Sequence, residues 1–195
     1  MASWNEILDY MQKTSPQERA QYLETLMIDS LNKISELRNN RNVIFYASGF
    51  LQKPQIDPLS IQITNEDINS FMALLHDMNF SKGLTLILHT PGGITTATET
   101  IKKYNNSTDI AKYFNSPELH KSHGKRINRI DCMKQGLNIY ELENNQDLQD
   151  AVLTAYHAMT ILFEQTPASK IVVNNSGKKW IKNIAQPVRM SLGTK

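Results

Sequence analysis

The sequence predicts an α/β fold, in which helices pack on a sheet that includes parallel strands. Residues 43–47 ("VIFYA") and 84–89 ("LTLILH") are short runs of β-branched, aromatic and other apolar residues, as is typical of buried strands. Residues 64–78 between them carry apolar side chains at helical spacing. Because strand, helix and strand follow one another, we expect a βαβ unit with a right-handed parallel crossover.

The chain before the first strand is predicted to be helical. Apolar residues at one-face spacing run from Trp4 to Met11, and "SPQE" at 15–18 supplies an N-cap serine, a proline at the first helical position and a capping-box glutamate. An apolar stripe with the helical period of about 3.6 residues follows at Leu23, Met27, Leu31, Ile34 and Leu37. We therefore expect residues 1–42 to form an N-terminal helical extension.

Residues 43–104 are predicted to hold the α/β core. Thr64 and Asp67 resemble the start of its first helix, and residues 94–104 are predicted to form a second helix after the strand at 84–89. Two clear strands make a thin sheet for an α/β domain. We therefore expect that part of the sheet is missing from this chain or is completed by another chain.

Residues 105–195 are predicted to be a mainly helical C-terminal region. Short helices are expected near 109–114 and 128–135, and a longer helix is expected to begin at Asn145. Its apolar stripe consists of Leu148, Val152, Ala155, Met159 and Leu162. The run "KIVVNN" at 170–175 is a candidate last strand, and the basic tail from Lys178 is expected to be loose.

Composition and charge narrow the class of protein. The chain has 195 residues, of which 40% are hydrophobic and 21% charged, so it can bury the core of one domain. Its formal net charge of +2 gives no general electrostatic reason to bind nucleic acid or membranes. The single cysteine, Cys132, excludes an internal disulfide, and no apolar run is long enough for a membrane span or a secretory signal. We expect a cytoplasmic protein.

The tetrapeptide at 90–93, Thr90-Pro91-Gly92-Gly93, is the first candidate site. It follows the predicted strand at 84–89, and open α/β sheets bind ligands at the carboxyl ends of their strands. Consecutive glycines allow backbone N–H groups to approach a ligand without a Cβ in the way, and a helix N-terminus behind them adds positive potential. The same residues also suit a plain turn. No P-loop lysine and no third Rossmann glycine follows.

The stretch "HKSHGKRINR" at 120–129 is a basic cluster with two histidines. His120 and His123 have spacing for one metal, but only Cys132 lies near enough in sequence to add a third ligand, so we predict no metal site. Lys125, Arg126 and Arg129 would suit phosphates if this stretch formed two short helices around a turn. A solvated charged face explains them equally well. His89 and His157 are expected to be a strand-end polar residue and a packed helical histidine.

Two blocks of sequence resemble a known family. "LTLILHTPGG" at 84–93, continuing into a glutamate-containing helix, resembles the serine dehydrogenase proteinase family of the Clp protease/crotonase-like superfamily, which also includes signal peptide peptidases. The stretch at 122–159, from "SHGKRINRID" to "AYHAM", and "TPASKIVVNN" at 166–175 are similar to the carboxyl-terminal region of that family. The blocks occur in the family's order and cover most of residues 43–180.

The resemblance implies a ββα spiral core and a serine peptidase mechanism. By position, Gly92 and Gly93 correspond to the oxyanion-hole loop, with Thr90 and Pro91 shaping its turn. His123 and Arg126, in the second block, are secondary candidate site residues. The resemblance implies a peptide or protein substrate, no cofactor and a homo-oligomer, since members of the superfamily commonly assemble as rings.

The chain departs from the family between the two blocks. The family carries further strands there, with the nucleophilic serine in a Ser-Ala-Gly-Thr-like context and a Gly-Pro-Ile-Asp-Pro-like loop, and neither motif occurs in this sequence. Ser107, Ser116 and Ser122 lack both the motif and a base. We therefore expect the chain itself to be inactive. The rival interpretations are a non-catalytic interaction or nucleic-acid-binding protein that uses residues 120–129, and acyl-CoA chemistry, for which no binding pattern is present.

Overall fold

A computed structural model describes residues 2–76, 78–91, 130, 133 and 140–184. Its helices are α1 (Trp4–Lys13), α2 (Pro16–Leu37), α3 (Asn65–Leu75) and α4 (Gln146–Gln165). Its strands are β1 (Asn42–Ser48), β2 (Leu84–His89), β3 (Ala168–Asn174) and β4 (Lys179–Asn183). Single 3₁₀ turns span Pro58–Ser60, Phe80–Lys82 and Leu142–Asn144. The predicted helices over 94–104 and 109–114 lie outside the described residues.

Three helices begin directly after the capping residues Ser15, Thr64 and Asn145. The Ser15 backbone N–H donates to Glu18 Oε2 at 2.8 Å in a reciprocal capping box, and Pro16 occupies the first turn of α2. The Thr64 N–H donates to Asp67 Oδ2 at 2.6 Å at the start of α3. Asn145 accepts the Leu148 N–H at 2.9 Å at the start of α4. These starts confirm the sequence-based predictions for the three helices.

The four strands form one mixed sheet in the order β2-β1-β3-β4. β1 and β2 are parallel, which confirms the predicted relation between them, and α3 lies in the connection. β3 runs antiparallel to β1, and β4 runs antiparallel to β3. The prediction of a loose tail from Lys178 is wrong for residues 179–183, because they pair with β3 as β4. An α/β fold is therefore observed.

Helices cover both faces of the central strands. Val43, Phe45 and Ala47 of β1 belong to the larger apolar core, which also contains buried side chains of α1, α2, α4 and β3. Ile44 and Tyr46 belong to a second core with apolar side chains of α3. This alternation follows from the two-residue period of a strand. Every residue of β3 is buried, and every residue of β1 is buried except Asn42. The residues of β2 are only partly buried, apart from Leu88, which is exposed.

Candidate functional site

The carboxyl ends of β1 and β2 meet at one edge of the sheet. The parallel register pairs Ala47 with His89, so the residues after His89 leave the sheet beside the residues after Ser48. Thr90 is partly buried and Pro91 is exposed at this edge. Gly92 and Gly93 lie outside the described residues. The structure thus places the first half of the candidate loop at the edge where parallel strands present ligand-binding loops.

The His89 side chain is held between two aromatic rings at this edge. Its ring centroid is 4.9 Å from that of Phe50, which follows β1, and 5.0 Å from that of Tyr156 on α4. The Tyr156 ring is nearly perpendicular to the imidazole, at 76°. These contacts fix the imidazole against the sheet edge and join β1, β2 and α4. The sequence pattern did not indicate Phe50 or Tyr156 as partners of His89.

The row of rings continues along α4 to the N-terminus of the chain. Tyr156 lies 6.2 Å from His157, and His157 lies 5.3 Å from Trp4 of α1 in an edge-to-face arrangement. The contact with Trp4 confirms the prediction that His157 is a packed histidine. The same row connects α1 to the start of the candidate loop, because it includes His89, the residue before Thr90.

Both histidines of this row are expected to be neutral near pH 7. Burial lowers the pKa of His89 and the pKa of His157, because the low-dielectric surroundings disfavour the charged imidazolium. His89 Nε2 and His157 Nδ1 are buried, and neither has a hydrogen-bond partner in the described part of the chain. The row can therefore stabilise a fixed geometry, but it supplies no positive charge to the loop at neutral pH.

Gly49 allows α4 to approach the end of β1. A Cβ at this position would lie 3.0 Å from Cδ1 of the Phe163 ring, which is closer than packed carbon atoms normally come. The Gly49 N–H donates to the Ser169 carbonyl at 2.9 Å, which extends the contact between β1 and β3 by one residue. Glycine at this position thus permits the end of α4 to pack directly on the candidate edge.

A buried ion pair lies on the α3 side of the sheet. Lys170 Nζ of β3 is 2.6 Å from Asp67 Oδ2 of α3, and both side chains are 0% exposed. Burial lowers the pKa of Lys170 and outweighs the opposing effect of Asp67. Burial, together with the negative charge of the nearby Asp67 carboxylate, raises the pKa of Tyr46. The pair therefore joins α3 to the central strands.

Ser48 lies opposite this lysine in the sheet. The antiparallel register pairs Ser48 with Lys170, and no described residue forms a hydrogen bond with the Ser48 hydroxyl. A serine beside a lysine is an arrangement that can support nucleophilic catalysis. Both residues are 0% exposed, however, so no substrate reaches the hydroxyl in this conformation. We assign Ser48 a structural position in the core.

A second buried lysine closes the carboxyl end of α4. Lys53 Nζ donates to the carbonyl oxygens of Phe163, Thr166 and Ala168, at 2.8 Å for Thr166 and 2.9 Å for Ala168. The last carbonyls of a helix have no partners within the helix, and the negative end of its dipole attracts a cation. Burial lowers the pKa of Lys53. Lys53 therefore fixes the segment after β1 against α4, behind the candidate edge.

The remaining candidate residues lie where the structure gives no description. His123 and Arg126, the whole basic cluster at 120–129 and Cys132 are outside the described residues. Ile130 and Met133 are described individually as helical and exposed, in the stretch where a short helix was predicted. Within the described ranges, no group of three or more metal-ligating side chains is found.

Comparisons with family models, with curated proteins and with solved structures gave no match. None of the described helices combines the length and apolar character that a membrane span requires.

Proposed function

We propose that this chain is related to serine peptidases of the serine dehydrogenase proteinase type and carries the oxyanion-binding half of an acyl-transfer site. In this proposal the backbone N–H groups of Gly92 and Gly93 bind the negative oxygen that develops when a peptide carbonyl is attacked. Thr90 and Pro91 shape the turn that leads to them. An intact parent protein that also carries the nucleophilic serine would act on peptides in the cytoplasm, as a homo-oligomer with a Clp protease/crotonase-like core and without a cofactor.

One observation supports this proposal above the others. β2 runs parallel to β1 and ends at His89, so the loop that begins with Thr90 leaves the sheet at its carboxyl edge. A plain turn after β2 would leave the sheet at the same edge, but this is also the edge where open α/β sheets bind their ligands, so the position is the one that the proposal requires. The rings of Phe50 and Tyr156 hold His89 and thereby fix the point at which the loop begins. Hydrogen-bond donors in an oxyanion hole must be held in place before the reaction, so a loop that carries them needs a fixed starting point on the sheet.

The proposal also predicts that the chain does not complete the reaction alone. Ser48 is buried in the core, and the serines at 107, 116 and 122 lack a recognisable catalytic context. An oxyanion hole without its nucleophile retains only a small part of the catalysis. Incubation with a fluorophosphonate probe should therefore leave the serines of the chain unlabelled. Stoichiometric labelling of any serine would contradict this prediction.

Oxyanion binding can be tested without turnover. The chain has eight glycines, so selective ¹⁵N-glycine labelling gives a small NMR spectrum that single Gly→Ala variants can assign. We would titrate it with an N-acetylated peptide that ends in a free carboxylate, whose oxygens resemble the oxyanion. The Gly92 and Gly93 signals should shift, whereas the same peptide with an amidated C-terminus should leave them unchanged.

Two glycine variants distinguish carboxylate binding by the loop from a general effect of replacing a glycine. Gly93→Ala keeps the backbone N–H but adds a Cβ that hinders the close approach of the ligand to it. We expect carboxylate binding to weaken by about tenfold or more, since a hydrogen bond to a charged group contributes roughly 1.5–3 kcal/mol. Gly177→Asn is the matched control, because Gly177 has a φ of +85° in a turn away from the candidate edge and asparagine tolerates that region. Equal carboxylate affinity of the two variants, or no shift of the Gly92 and Gly93 signals, would refute the proposed role.

The rival function, nucleic-acid binding through residues 120–129, predicts a different result. Binding to DNA or RNA would weaken steeply with salt, because contacts to phosphates release counterions. It would also be lost when Lys125, Arg126 and Arg129 are replaced by alanine. We expect no such binding at low salt. Light scattering tests the predicted homo-oligomer, and a monomeric mass would contradict it.

A further inference from the structure

The two edges of the sheet differ in how they are protected against pairing with other strands. β2 and β4 are the outer strands, and within the described ranges each is hydrogen-bonded to a neighbour on one side only. β4 ("KWIKN") carries two lysines, a residue that proteins commonly place on an edge strand to prevent pairing with another chain. β2 ("LTLILH") contains no lysine, no acidic residue and no proline. The outer edge of β2 is therefore the one that lacks this protection.

β2 presents a row of leucines on the α3 side of the sheet. Leu84, Leu86 and Leu88 are two positions apart from one another, so they project to the same face of the strand. Leu84 and Leu86 pack against the second core, which includes side chains of α3, whereas Ile87 packs against the larger core on the opposite face. Leu88 is 49% exposed. The described residues therefore cover only part of this leucine row.

The leucine row is complementary to itself when β2 lies antiparallel to the β2 of a second copy. A twofold axis perpendicular to the sheet and beside Leu86 places Leu86 opposite the partner's Leu86 and Leu84 opposite the partner's Leu88. Side chains opposite each other on paired strands have Cβ atoms about 4.5–5.5 Å apart and project to the same face. The leucines of the two copies therefore form one continuous row, in which the partner's Leu84 covers Leu88. Because β2 contains no lysine, arginine or acidic residue, this register brings no like charges together.

A second copy of the chain is the best source of a further strand for this edge. In the sequence that follows β2, the regular patterns at 94–104, 109–114 and 128–135 predict helices and no strand. The strands found in the described ranges already have their places in the order β2-β1-β3-β4. Dimers with twofold symmetry are the commonest oligomers, and they require a surface that is complementary to itself, as the leucine row is.

We propose that two copies of this chain pair through the outer edges of β2, antiparallel and about a twofold axis beside Leu86. Four strands from each copy then form one continuous eight-stranded sheet, with the lysine-bearing β4 at both outer edges. The unprotected edge is removed, and the protected edges remain. The inference rests on the homo-oligomer proposed above and names its interface, but it does not depend on oxyanion binding by the loop after β2.

Two charge substitutions test which edge of the sheet forms the contact. Leu88→Lys adds a lysine to β2, and Ile181→Lys adds one to β4. The two side chains are similarly exposed in the single chain, at 49% and 44%, so the variants are matched in their effect on folding. In sedimentation experiments over a dilution series, Leu88→Lys should raise the dissociation constant of self-association at least roughly tenfold, because each copy would bury an ammonium group against a leucine. Ile181→Lys should leave that constant at the parental value.

The possible outcomes separate this interface from the rest of the proposed function. A monomeric parent chain would refute both the homo-oligomer and the interface. An oligomer that Leu88→Lys leaves intact, or that Ile181→Lys dissociates to the same extent, would refute the interface alone. The glycine amide signals in the carboxylate titration report on the loop after β2, so their result does not decide which strand edge forms the contact.

Disulfide formation between copies tests the register. In a chain with Cys132→Ser, Leu86→Cys places the two new thiols opposite each other, where the Cα atoms of antiparallel strands are about 4.5–5.5 Å apart, within the range of a disulfide. Leu84→Cys is the matched control, because it is also partly buried and lies on the same face, but its two copies are offset by roughly 14 Å along the strands. Under mild oxidation Leu86→Cys should form disulfide-linked dimers, and Leu84→Cys should remain unlinked. No linked dimer of Leu86→Cys, or equal rates for the two variants, would overturn the proposed register.

Discussion

Replacing Lys170 by methionine should destabilise the fold more than any surface substitution. The ammonium lies 2.6 Å from Asp67 Oδ2, and neither side chain is exposed. Methionine has a similar length but no charge, so the Asp67 carboxylate would remain buried without its partner. Breaking a buried pair in this way costs about 3–5 kcal/mol, which is a large part of the roughly 5–15 kcal/mol that stabilises a domain.

Urea unfolding of matched variants measures this cost. Lys182→Met is the control, because Lys182 pairs with Glu66 on the same side of the sheet but is 28% exposed, and its partner is 55% exposed. Pairs in contact with water contribute at most about 1 kcal/mol. We therefore expect the Lys170 variant to lose at least about 2 kcal/mol more of its free energy of unfolding than the control.

A double-mutant cycle isolates the pair itself. In an Asp67→Asn background no carboxylate is left uncompensated, so Lys170→Met should cost about 2 kcal/mol less than in the parent chain. The Asn variant retains a carbonyl oxygen that can accept the Thr64 N–H at the start of α3. Equal costs in the two backgrounds, or a loss of less than about 1 kcal/mol in the parent, would refute the reasoning from burial and charge.

Three further predictions concern the packing around the candidate edge. Because burial lowers the pKa of His157, the unfolded chain binds a proton at this residue at a higher pH than the folded chain does. The free energy of unfolding should therefore fall as the pH drops below about 6.5, and it should fall less steeply in His157→Phe. Thermal unfolding between pH 7 and 5 measures both slopes. An unchanged slope would contradict this. Lys53→Met should cost about 1–3 kcal/mol in urea unfolding, because the carbonyls of Phe163, Thr166 and Ala168 lose their donor, whereas the exposed Lys33→Met should change stability by less than about 0.5 kcal/mol. Gly49→Ala should cost about 1–3 kcal/mol, because its methyl group would meet the Phe163 ring at 3.0 Å, and a higher melting temperature would refute the steric argument.

Local sequence signals were sufficient for most helices and for the parallel strand pair. Capping residues at Ser15, Thr64 and Asn145 act within one turn, so their effect on the start of a helix can be read from neighbouring residues. β1 and β2 are short apolar runs in the sequence, and a helix lies between them. A connection that contains a helix is typical of two parallel strands, so the parallel pairing could be predicted. The position of Thr90 and Pro91 at the sheet edge follows from the same local pattern.

The features that were missed depend on residues far apart in the chain. β4 has only five residues, two of them lysines, and it forms a strand because β3 offers a partner. The charge of Lys170 within an apolar strand is explained only by Asp67, which lies 103 positions earlier. The rings that hold His89 come from Phe50 and Tyr156, and no short-range pattern connects them.

The strand order has a consequence for synthesis of the protein on the ribosome. β1 lies in the centre of the sheet, and the side chain of Asn175, just beyond β3, accepts the Val43 N–H from 132 positions away. At typical elongation rates of about 5–20 residues per second, β1 is made on the order of ten seconds before its antiparallel neighbour. During that interval one apolar strand edge lacks its partner, so the nascent chain should depend on chaperones until β3 has left the ribosome.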